Sequence, residues 1–479
     1  MQIGNRFRLY PTAIQAQTLL QWIGCQRFIY NAKVGEDRYF RSFARQSLAL
    51  TGQFSPIDQQ YSHFKTESTP WLSEVPSQIL RNGAALWKQA YGRFFSKLAG
   101  RPGIHGKTRE QSVWLTKELF TFKPVVDKCT GKITSYTLHV GTKMFPLGQL
   151  QFTAHKSFEP AASIHISVHA GRWHVSFNYD DGRLEPSAEE TTEYLMQFTE
   201  NDLTAATVGL DRGVNLPLAC SNGQQFGFSD IQDKRLIAKD RHKKRWQRIQ
   251  ARRVKGSKNW HKAKAKVARY QRYGVDVRRD VAHKTSFNLA SNPEIKLYVF
   301  EALKIQNMTK RAKSKKDASG CWIKNGASAK SGLNKSILAS TWGKTKEFLS
   351  YKARRAGKLT IEVPAFYSSQ ECAVCGHTHK DNRRSQAVFV CQRCNHTDNA
   401  DHNAAAVIAK RGVRLVLSGA YVQKKKKKCG ILNKVGGVTS EPDSAMSPTP
   451  GEIMVSRSSA STVALGSLIQ ETPATTRSV

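Results

Sequence analysis

Two cysteine pairs near residue 380 constrain the fold of this chain more than any other feature. Cys372 and Cys375 form one C-x-x-C pair, and Cys391 and Cys394 form a second pair after fifteen intervening residues. Two such pairs at this separation supply four thiolates, which zinc binds in a tetrahedral arrangement. Four protein ligands leave no open coordination position. We therefore expect one structural zinc ion and not a catalytic metal.

The residues that flank each pair fit a metal-binding turn. Gly376 and Asn395 directly follow the second cysteine of their pairs, where a tight turn directs backbone N–H groups at sulfur. His377, His379 and His396 lie nearby in the sequence. Because four thiolates already complete a zinc site, we expect these histidines to be surface residues.

The chain carries a large excess of positive charge. Its 479 residues include 75 Lys and Arg against 36 Asp and Glu, a formal net charge of +39. Such an excess attracts polyanions and makes their association strongly dependent on salt. A solubility device or a ribosome-like basic tail is the alternative, but the charge is spread through sequence with folded patterns. We therefore expect a nucleic-acid partner.

No segment has the character of a signal peptide or a membrane span. The N-terminal MQIGNRFRLYPT lacks an apolar core, and no run of 18 or more apolar residues occurs. The other five cysteines are scattered singly, which fits a reducing compartment. They are Cys25, Cys129, Cys220, Cys321 and Cys429. These features predict a cytoplasmic protein that has no membrane partner.

The first half of the chain combines helical and β-rich segments. Apolar residues recur at helical spacing in 13–34 and in 75–98. From about 110 to 180, short alternating runs are separated by Gly and Pro, which predicts an antiparallel sheet or a small barrel. A polar stretch follows, which predicts a linker.

The second half alternates strand-like runs with a basic helical tract. TAATVGLDRGV, LPLACS, QQFGF, KLYVFEAL and KLTIEVPA read as strands. Residues 234–284 read as helix and hold 20 Lys and Arg but only three acids. Charge runs are usually solvated faces, but Trp246, Trp260, Tyr270 and Tyr273 lie among these cations. That mixture binds phosphates and stacks on bases.

The folded pattern ends after about residue 415. Lys424 to Lys428 form a run of five lysines, and residues 440–479 contain 14 Ser and Thr, four Pro and no aromatic residue. Such a composition cannot bury a core. We therefore predict a tail that is first basic and then disordered.

Three acids stand where a catalytic metal site could form. Asp211 ends one strand-like run, Glu301 ends another, and Asp401 closely follows the second cysteine pair. A single acid at the end of a strand is weak evidence. Three converging carboxylates, however, supply the oxygen ligands that two Mg²⁺ ions need for phosphodiester hydrolysis. No Ser/His/Asp or Cys/His pattern and no phosphate-binding Gly-rich loop competes with them in the sequence.

The motifs VGLDRGV, VFEALKI, GLNKSILASTWG and NADHNAA, in this order and spacing, resemble those of the transposon-associated TnpB proteins. RFRLYPTAIQ, CQRFIYN, WLSEVPSQIL and FFSKLAGRPG resemble the opening region of the same family. The resemblance covers roughly residues 3–412. TnpB proteins are similar to the compact type V CRISPR effector nucleases, and residues alone do not separate the two genomic contexts.

The resemblance implies an α+β multidomain fold. An RNase H-like (RuvC) α/β nuclease core would carry an inserted zinc ribbon, beside an N-terminal wedge-like β-barrel and a helical recognition lobe. The implied domains are the β-barrel at 1–12 and 110–185, the helical recognition domain at 13–109, a linker at 186–204, the RuvC-like nuclease domain at 205–366 and 398–415, the zinc ribbon at 367–397 and the tail at 416–479.

The resemblance also implies an activity: RNA-guided, Mg-dependent cleavage of double-stranded DNA next to a short motif that the protein reads. Asp211, Glu301 and Asp401 would be the catalytic acids and would bind two Mg²⁺ ions, while the four cysteines would hold zinc. The guide would be an RNA from the transposon end, bound by a protein monomer.

The fold implied by the family also explains why a ribbon precedes the third acid. The ribbon would fix the start of a helix that packs on the sheet, so that Asp401 is positioned for the metal. Asp398 and Asn399 are then expected to cap this helix. Asn403 is expected to support the metal or the substrate.

Two other functions remain open from the sequence. A DNA-strand transposase would use the same acids to join DNA ends, and an obligate guide RNA would exclude it. A zinc-ribbon or RNA-guided regulator would bind DNA without catalysis, and the intact set of three acids argues against it.

Overall fold

The computed structural model describes residues 2–51, 58–107, 111–126, 133–154 and 158–421. These residues form two compact units that divide between Arg183 and Leu184. Cys129, Cys429 and the predicted lysine run and Ser/Thr-rich tail lie outside the described residues. Among the described helices, none combines the length and the apolar character that crossing a membrane requires.

The described part of unit 1 contains two long helices and seven strands. The helices are α1 (Ala13–Thr51) and α2 (Ser77–Phe95). The strands are β1 (Gln2–Tyr10), β2 (Gln111–Thr116), β3 (Phe120–Val126), β4 (Ile133–Gly141), β5 (Pro146–Thr153), β6 (Ser163–His169) and β7 (Arg172–Asp180).

All seven strands of unit 1 belong to one antiparallel sheet, in the order β2-β6-β7-β1-β5-β4-β3. The end strands β2 and β3 are consecutive in the chain, and both contribute to one core. Five phenylalanine rings pack in that core with centroid separations of 5.2–5.9 Å, namely Phe7, Phe122, Phe152, Phe158 and Phe177. The sheet confirms the antiparallel segment that the sequence predicts between 110 and 180.

Unit 2 contains a central sheet, flanking helices and two small hairpins. Its helices are α3 (Ala188–Leu195), α4 (Glu200–Ala205), α5 (Asp230–Ala251), α6 (Lys258–Ser291), α7 (Ile305–Met308), α8 (Ala327–Ala339), α9 (Trp342–Arg355) and α10 (Ala400–Leu417). Its strands are β8 (Thr207–Asp211), β9 (Leu218–Cys220), β10 (Gln225–Phe226), β11 (Leu297–Glu301), β12 (Lys315–Lys316), β13 (Trp322–Ile323), β14 (Leu359–Val363), β15 (Val388–Val390) and β16 (Thr397–Asn399).

The central sheet of unit 2 has the order β10-β9-β8-β11-β14. β8, β11 and β14 run parallel, whereas β9 and β10 are antiparallel to their neighbours. The five strands lie within the five runs predicted from the sequence. β8 and β11 read as continuous apolar runs because helices cover both faces of the sheet.

Alternate residues of β11 show how the two faces are filled. Tyr298 and Phe300 pack in a cluster with residues of α6 and α9. Leu297 and Val299 point to the opposite face and pack with residues of α3, α4 and α10. The sheet is thus the middle of three layers.

Two glycines allow α10 to lie directly on the sheet. A Cβ at Gly209 in β8 would lie 1.9 Å from the carbonyl oxygen of Ala405 and 2.6 Å from the amide nitrogen of Ala409. A Cβ at Gly412 in α10 would lie 2.2 Å from Cγ2 of Val299. The helix and the sheet approach this closely only because both positions lack a side chain.

The structure corrects the predicted linker at 186–204. This segment forms α3 and α4, and Leu195 and Leu203 are fully buried in the cluster beneath α10. Ser187 and Glu190 form a capping box at the start of α3. The predicted tail also begins too early, because Val416 is buried on α10.

Candidate active site

A cavity of about 300 Å³ opens at the carboxyl end of the parallel strands. Asp211 is the last residue of β8 and Glu301 the last of β11. Because Leu210 pairs with Phe300, the two acids leave the sheet side by side. Asp401 lies in the first turn of α10, and all three acids line the cavity. Three distant segments of the chain thus contribute one carboxylate each.

This site disfavours ionisation of the Asp211 carboxyl group. Burial, together with the charges of Glu301 and Asp401, raises the pKa of Asp211 to about 7. The surrounding protein therefore stabilises the ionised Asp211 carboxylate less than bulk water does. Oxygen donors are the ligands that Mg²⁺ prefers, and a divalent cation would favour the ionised carboxylates. The donor set and its electrostatics fit such a cation.

Two further side chains hold Glu301 in place. The Ser368 hydroxyl donates a hydrogen bond to Oε1 of Glu301, and Nη2 of Arg212 donates one to the main-chain oxygen of Glu301. The Arg212 guanidinium is buried and lies 5.3 Å from the centre of the Phe300 ring. Sequence analysis missed both residues. The position of Arg212 directly after Asp211 could have indicated its role, whereas Ser368 lies in an irregular segment with no pattern that points to the site.

An arginine from the segment between the cysteine pairs also reaches the cavity. Nη2 of Arg383 donates to Oδ1 of Asp401 at 3.1 Å and to the main-chain oxygen of Gln386 at 3.0 Å. Both Arg383 and Gln386 line the cavity. The guanidinium thus partly neutralises Asp401. Sequence analysis missed Arg383 because one of many basic residues has no distinguishing pattern.

The four predicted zinc ligands come together as one cluster. The Sγ atoms of Cys372 and Cys394 are 3.7 Å apart, and those of Cys375 and Cys391 are 3.6 Å apart. A tetrahedron with Zn–S bonds of about 2.3 Å has S···S edges of about 3.8 Å. All four atoms lie within 4.8 Å of one another, and no histidine of the described residues belongs to this cluster. The geometry fits zinc.

The two knuckles share the same backbone pattern. The amides of Cys372 and Cys391 donate to the carbonyls of the residues five positions later, His377 and His396, at 2.9 Å. Gly376 and Asn395 both have positive φ, 72° and 57°. The Arg393 amide donates to Sγ of Cys391 at 3.4 Å. The predicted tight turns at these positions are confirmed.

Three side chains of α10 attach the ribbon to the helix. Oδ1 of Asn403 accepts from the amide of Ala373 at 2.9 Å, and its Nδ2 donates to the carbonyl of Glu371 at 2.8 Å. Lys410 donates to the carbonyl of Ala373, and Arg411 forms an ion pair with Glu371. The expectation that Asn403 supports the metal or substrate is therefore wrong, because both ends of its buried amide bind the ribbon backbone.

The start of α10 is fixed by its cap. Asn399 is the N-cap residue, and its side chain accepts from the amides of Asp401 and His402 at 3.0 and 3.3 Å. Asp398 accepts from Nδ1 of His402, and Nε2 of His402 contacts the carbonyl oxygen of Ser221. Both residues thus stabilise the helix start, as predicted. The cap joins the first turn of α10 to the end of β9.

The basic tract forms an antiparallel helical pair, α5 and α6. Its four aromatic residues are half-buried rather than fully displayed. Lys239 lies over Tyr270 and Tyr273, Lys264 over Trp260, and Lys266 over Trp246, at 5.1–6.0 Å. Lysine side chains of the pair therefore cover part of each ring. Phosphate binding by this pair and base stacking by its rings both stay predictions.

Three family models match the chain. One described as “Probable transposase” (OrfB_IS605) matches residues 186–312, and one described as “Cas12f1-like, TNB domain” matches 342–408. The latter range includes both cysteine pairs and Asp401. A third, described as “Helix-turn-helix domain” (HTH_OrfB_IS605), matches residues 1–34, which form β1 and the start of α1.

Curated relatives align with nearly the whole chain. “Putative RNA-guided DNA endonuclease InsQ” of Escherichia coli (strain K12) is 30% identical over 431 residues, which cover 87% of this chain and 94% of the relative. “Putative RNA-guided DNA endonuclease” of Streptomyces pristinaespiralis is 27% identical over 421 residues, which cover 85% and 89%. A solved structure titled “Structure of the mini-RNA-guided endonuclease CRISPR-Cas_phi3” is 12% identical, covers 87% of this chain and 93% of its own, and superposes with a TM-score of 0.40.

Proposed function

Because this chain belongs to the OrfB_IS605 family of transposon proteins, the TnpB family that its motifs resemble, we propose that it is an RNA-guided DNA endonuclease. One observation carries this proposal. Asp211, Glu301 and Asp401, separated by 90 residues or more in the chain, line one cavity at the end of a parallel sheet. A binding module without catalysis has no need of three carboxylates gathered around one cavity.

The three acids would hold two Mg²⁺ ions in a RuvC-type site. When bound, the ions activate a water molecule and stabilise the leaving oxygen of a phosphodiester. The protein residues prepare this site before any substrate arrives. Ser368 and Arg212 orient Glu301, and the Asn399 cap fixes the turn that carries Asp401.

Arg383 would contact the phosphate that is cut. Its guanidinium lines the cavity beside Asp401, and Arg212 is the other cationic residue of the cavity wall. A guanidinium binds phosphate oxygens through two parallel N–H donors. Both hydrogen bonds that Arg383 donates within the protein come from Nη2, so its Nη1 and Nε donors would be the ones to reach a DNA phosphate.

The four cysteines would bind one structural zinc ion. Their thiolates leave no open coordination position, so the zinc contributes folding energy to the ribbon and no chemistry. Through Asn403, Lys410 and Arg411 the ribbon then holds α10, which carries Asp401.

The α5–α6 pair would bind the phosphates of the guide RNA or the guide–target duplex. Its exposed cations lie on both helices, and it belongs to a chain with a net charge of +39. Electrostatic binding of this kind is independent of sequence, which suits a protein whose specificity resides in base pairing. We further propose that the protein acts as a monomer with one RNA transcribed from the transposon end.

The test is to express the gene with its native flanking DNA and to sequence the RNA that co-purifies. A matched DNA target would then be incubated with the complex in Mg²⁺ and in EDTA. Asp211→Ala, Glu301→Ala and Asp401→Ala should each lower the cleavage rate at least about a hundredfold. Several kcal/mol of metal stabilisation are lost with a ligand, and about 1.4 kcal/mol corresponds to tenfold.

Target binding by the same variants should stay close to wild type, because cations elsewhere hold the nucleic-acid backbone. Glu294→Ala, which removes an exposed acid near the start of β11, is the matched control and should cut normally. Preparations that carry no discrete RNA, or acid variants that cut at the wild-type rate, would refute the proposed function.

A further inference from the structure

The loop at residues 364–368, which follows β14, exposes two consecutive aromatic side chains. Phe366 is 78% exposed and Tyr367 is 65% exposed. Aromatic side chains carry large apolar surfaces that folded proteins normally bury. Two adjacent rings that are this exposed call for a binding partner.

The loop is part of the wall of the acid cavity. Val363, the last residue of β14, pairs with Glu301, so the loop leaves the sheet beside this carboxylate. Ala365 and Ser368 line the cavity, and the Ser368 hydroxyl contacts Glu301. Tyr367 is the immediate neighbour of Ser368, which places its Cα about 3.8 Å from that of a residue in contact with a catalytic acid.

The loop is held rigidly in spite of its exposed rings. Arg411 donates to the carbonyls of Pro364 and Phe366, each at 2.8 Å. The amides of Gln370 and Glu371 both donate to the carbonyl of Tyr367 at 2.9 Å. The rings therefore project from a fixed backbone and do not belong to a freely moving loop.

Tyr367 has a backbone conformation that is unfavourable for a bulky side chain. Its φ is +57°, in the left-handed region that bulky residues rarely adopt. Glycine or asparagine would adopt this conformation at lower cost. A bulky aromatic ring at a strained position beside a cleft indicates that the ring itself has a function.

The two rings are also available for a ligand. Within the described parts of the chain, neither ring stacks on another ring or lies beneath a cation, and the Tyr367 hydroxyl has no hydrogen-bond partner. This differs from the rings of the α5–α6 pair, where lysines cover the aromatic faces.

We propose that Phe366 and Tyr367 form a stacking platform for unpaired DNA bases next to the phosphate that is cut. The proposal rests on the endonuclease function proposed above. Exposed aromatic rings stack on any base, so the platform would position the strand without selecting a sequence. Bases in a duplex are already stacked on each other, so the platform requires a strand that has been separated from its complement.

The binding test uses a single-stranded oligodeoxynucleotide with 2-aminopurine at successive positions, whose fluorescence is quenched by stacking. In an Asp211→Ala background, which does not cut, we expect one or two positions to be quenched. Phe366→Ala and Tyr367→Ala should each restore the fluorescence at those positions. They should also weaken the oligonucleotide's affinity about tenfold or more, since one stacked base contributes about 1–3 kcal/mol and 1.4 kcal/mol is tenfold.

Three variants distinguish the effect of the Tyr367 ring from the effect of its backbone conformation. Tyr367→Phe should keep the quenching, because the ring remains. Tyr367→Asn should lose it, although asparagine tolerates the positive φ. Tyr194→Ala is the matched control, since it removes another exposed tyrosine of unit 2 and should change nothing. Quenching that persists in Tyr367→Asn and in Phe366→Ala, or that the control also abolishes, would overturn the proposal.

The activity test uses the RNA-loaded protein with Asp211, Glu301 and Asp401 unchanged, and its substrate is a single-stranded target. The double variant Phe366→Ala, Tyr367→Ala should raise KM about tenfold or more and leave kcat nearly unchanged, because the cavity is intact. An unchanged KM would overturn the platform while the endonuclease function stands. If wild-type protein does not cut at all, the endonuclease function fails, and the fluorescence result still decides whether the platform binds bases.

Discussion

Replacing Gly209 by alanine should disable the active site from beneath the sheet. The new Cβ would lie 1.9 Å from the Ala405 carbonyl oxygen and 2.6 Å from the Ala409 amide nitrogen, both of them backbone atoms of α10. Ordinary contact begins near 3.4 Å, so the helix and the strand must separate by about 1.5 Å. No side-chain rotation relieves this contact, because neither partner is a side chain.

That displacement is large compared with what catalysis tolerates. Productive geometry is held within about 0.5 Å, and a misplacement of about 1 Å costs about a hundredfold in rate. Asp401 is in the first turn of α10, so it moves with the helix. Overpacking of a core costs about 1–3 kcal/mol, and a contact between two backbones should fall at the upper end.

The assay for Gly209→Ala combines thermal unfolding, zinc content and cleavage of a matched target. We expect a lower melting temperature, cleavage reduced at least about a hundredfold, and retained zinc and RNA. Gly332→Ala in α8, where the new Cβ meets nothing within 4 Å, is the matched control and should be neutral or slightly stabilising. A Gly209→Ala protein that cuts at the wild-type rate would refute the reasoning that α10 positions Asp401 through this close packing.

Three other changes give distinct outcomes. Cys375→Ser should release the zinc and lower both the melting temperature and cleavage, because the ribbon loses a ligand; active variant protein without zinc in metal analysis would contradict this. Arg383→Ala should lower the cleavage rate about tenfold or more. It should lower the free energy of unfolding by less than about 1 kcal/mol, because its ion pair with Asp401 is partly exposed. A loss of unfolding free energy in urea as large as the loss of activation free energy would argue for a purely structural role. Burial lowers the pKa of Lys352 to about 8, so between pH 8 and about 10 the unfolded chain binds more protons than the folded one and the free energy of unfolding rises with pH. Lys352→Met should remove this rise. If the free energy of unfolding, measured in urea, rises equally with pH in both proteins, the prediction is contradicted.

The placements that the structure confirms are those for which the local sequence carries the signal. Cysteine spacing defines a zinc knuckle without knowledge of the fold, and the structure places all four sulfur atoms together. Asp211 and Glu301 follow apolar runs that had to be buried strands, and parallel strands bring their carboxyl ends to one edge. The strands of the central sheet were readable for the same reason.

The residues that sequence reasoning missed or misassigned depend on tertiary contacts. Arg383 becomes a cavity residue only because the ribbon folds back on α10. Asn403 has the chemistry of a metal ligand, but both ends of its side-chain amide form hydrogen bonds with backbone groups of the ribbon. The error at 186–204 was avoidable, since Ser187 and Glu190 already show the spacing of a capping box.

The attachment of the ribbon to α10 has a consequence for how the two parts can be exchanged between relatives. On the helix side, the bonds come from the side chains of Asn403, Lys410 and Arg411, whose identities matter. On the ribbon side, the partners are main-chain groups of Glu371 and Ala373 and one side chain, the Glu371 carboxylate, which pairs with Arg411. A chimera that keeps this helix should therefore accept a ribbon of quite different sequence, provided that the backbone path and Glu371 are kept. A chimera that keeps the ribbon and replaces the helix should fail unless these three side chains are transplanted with it.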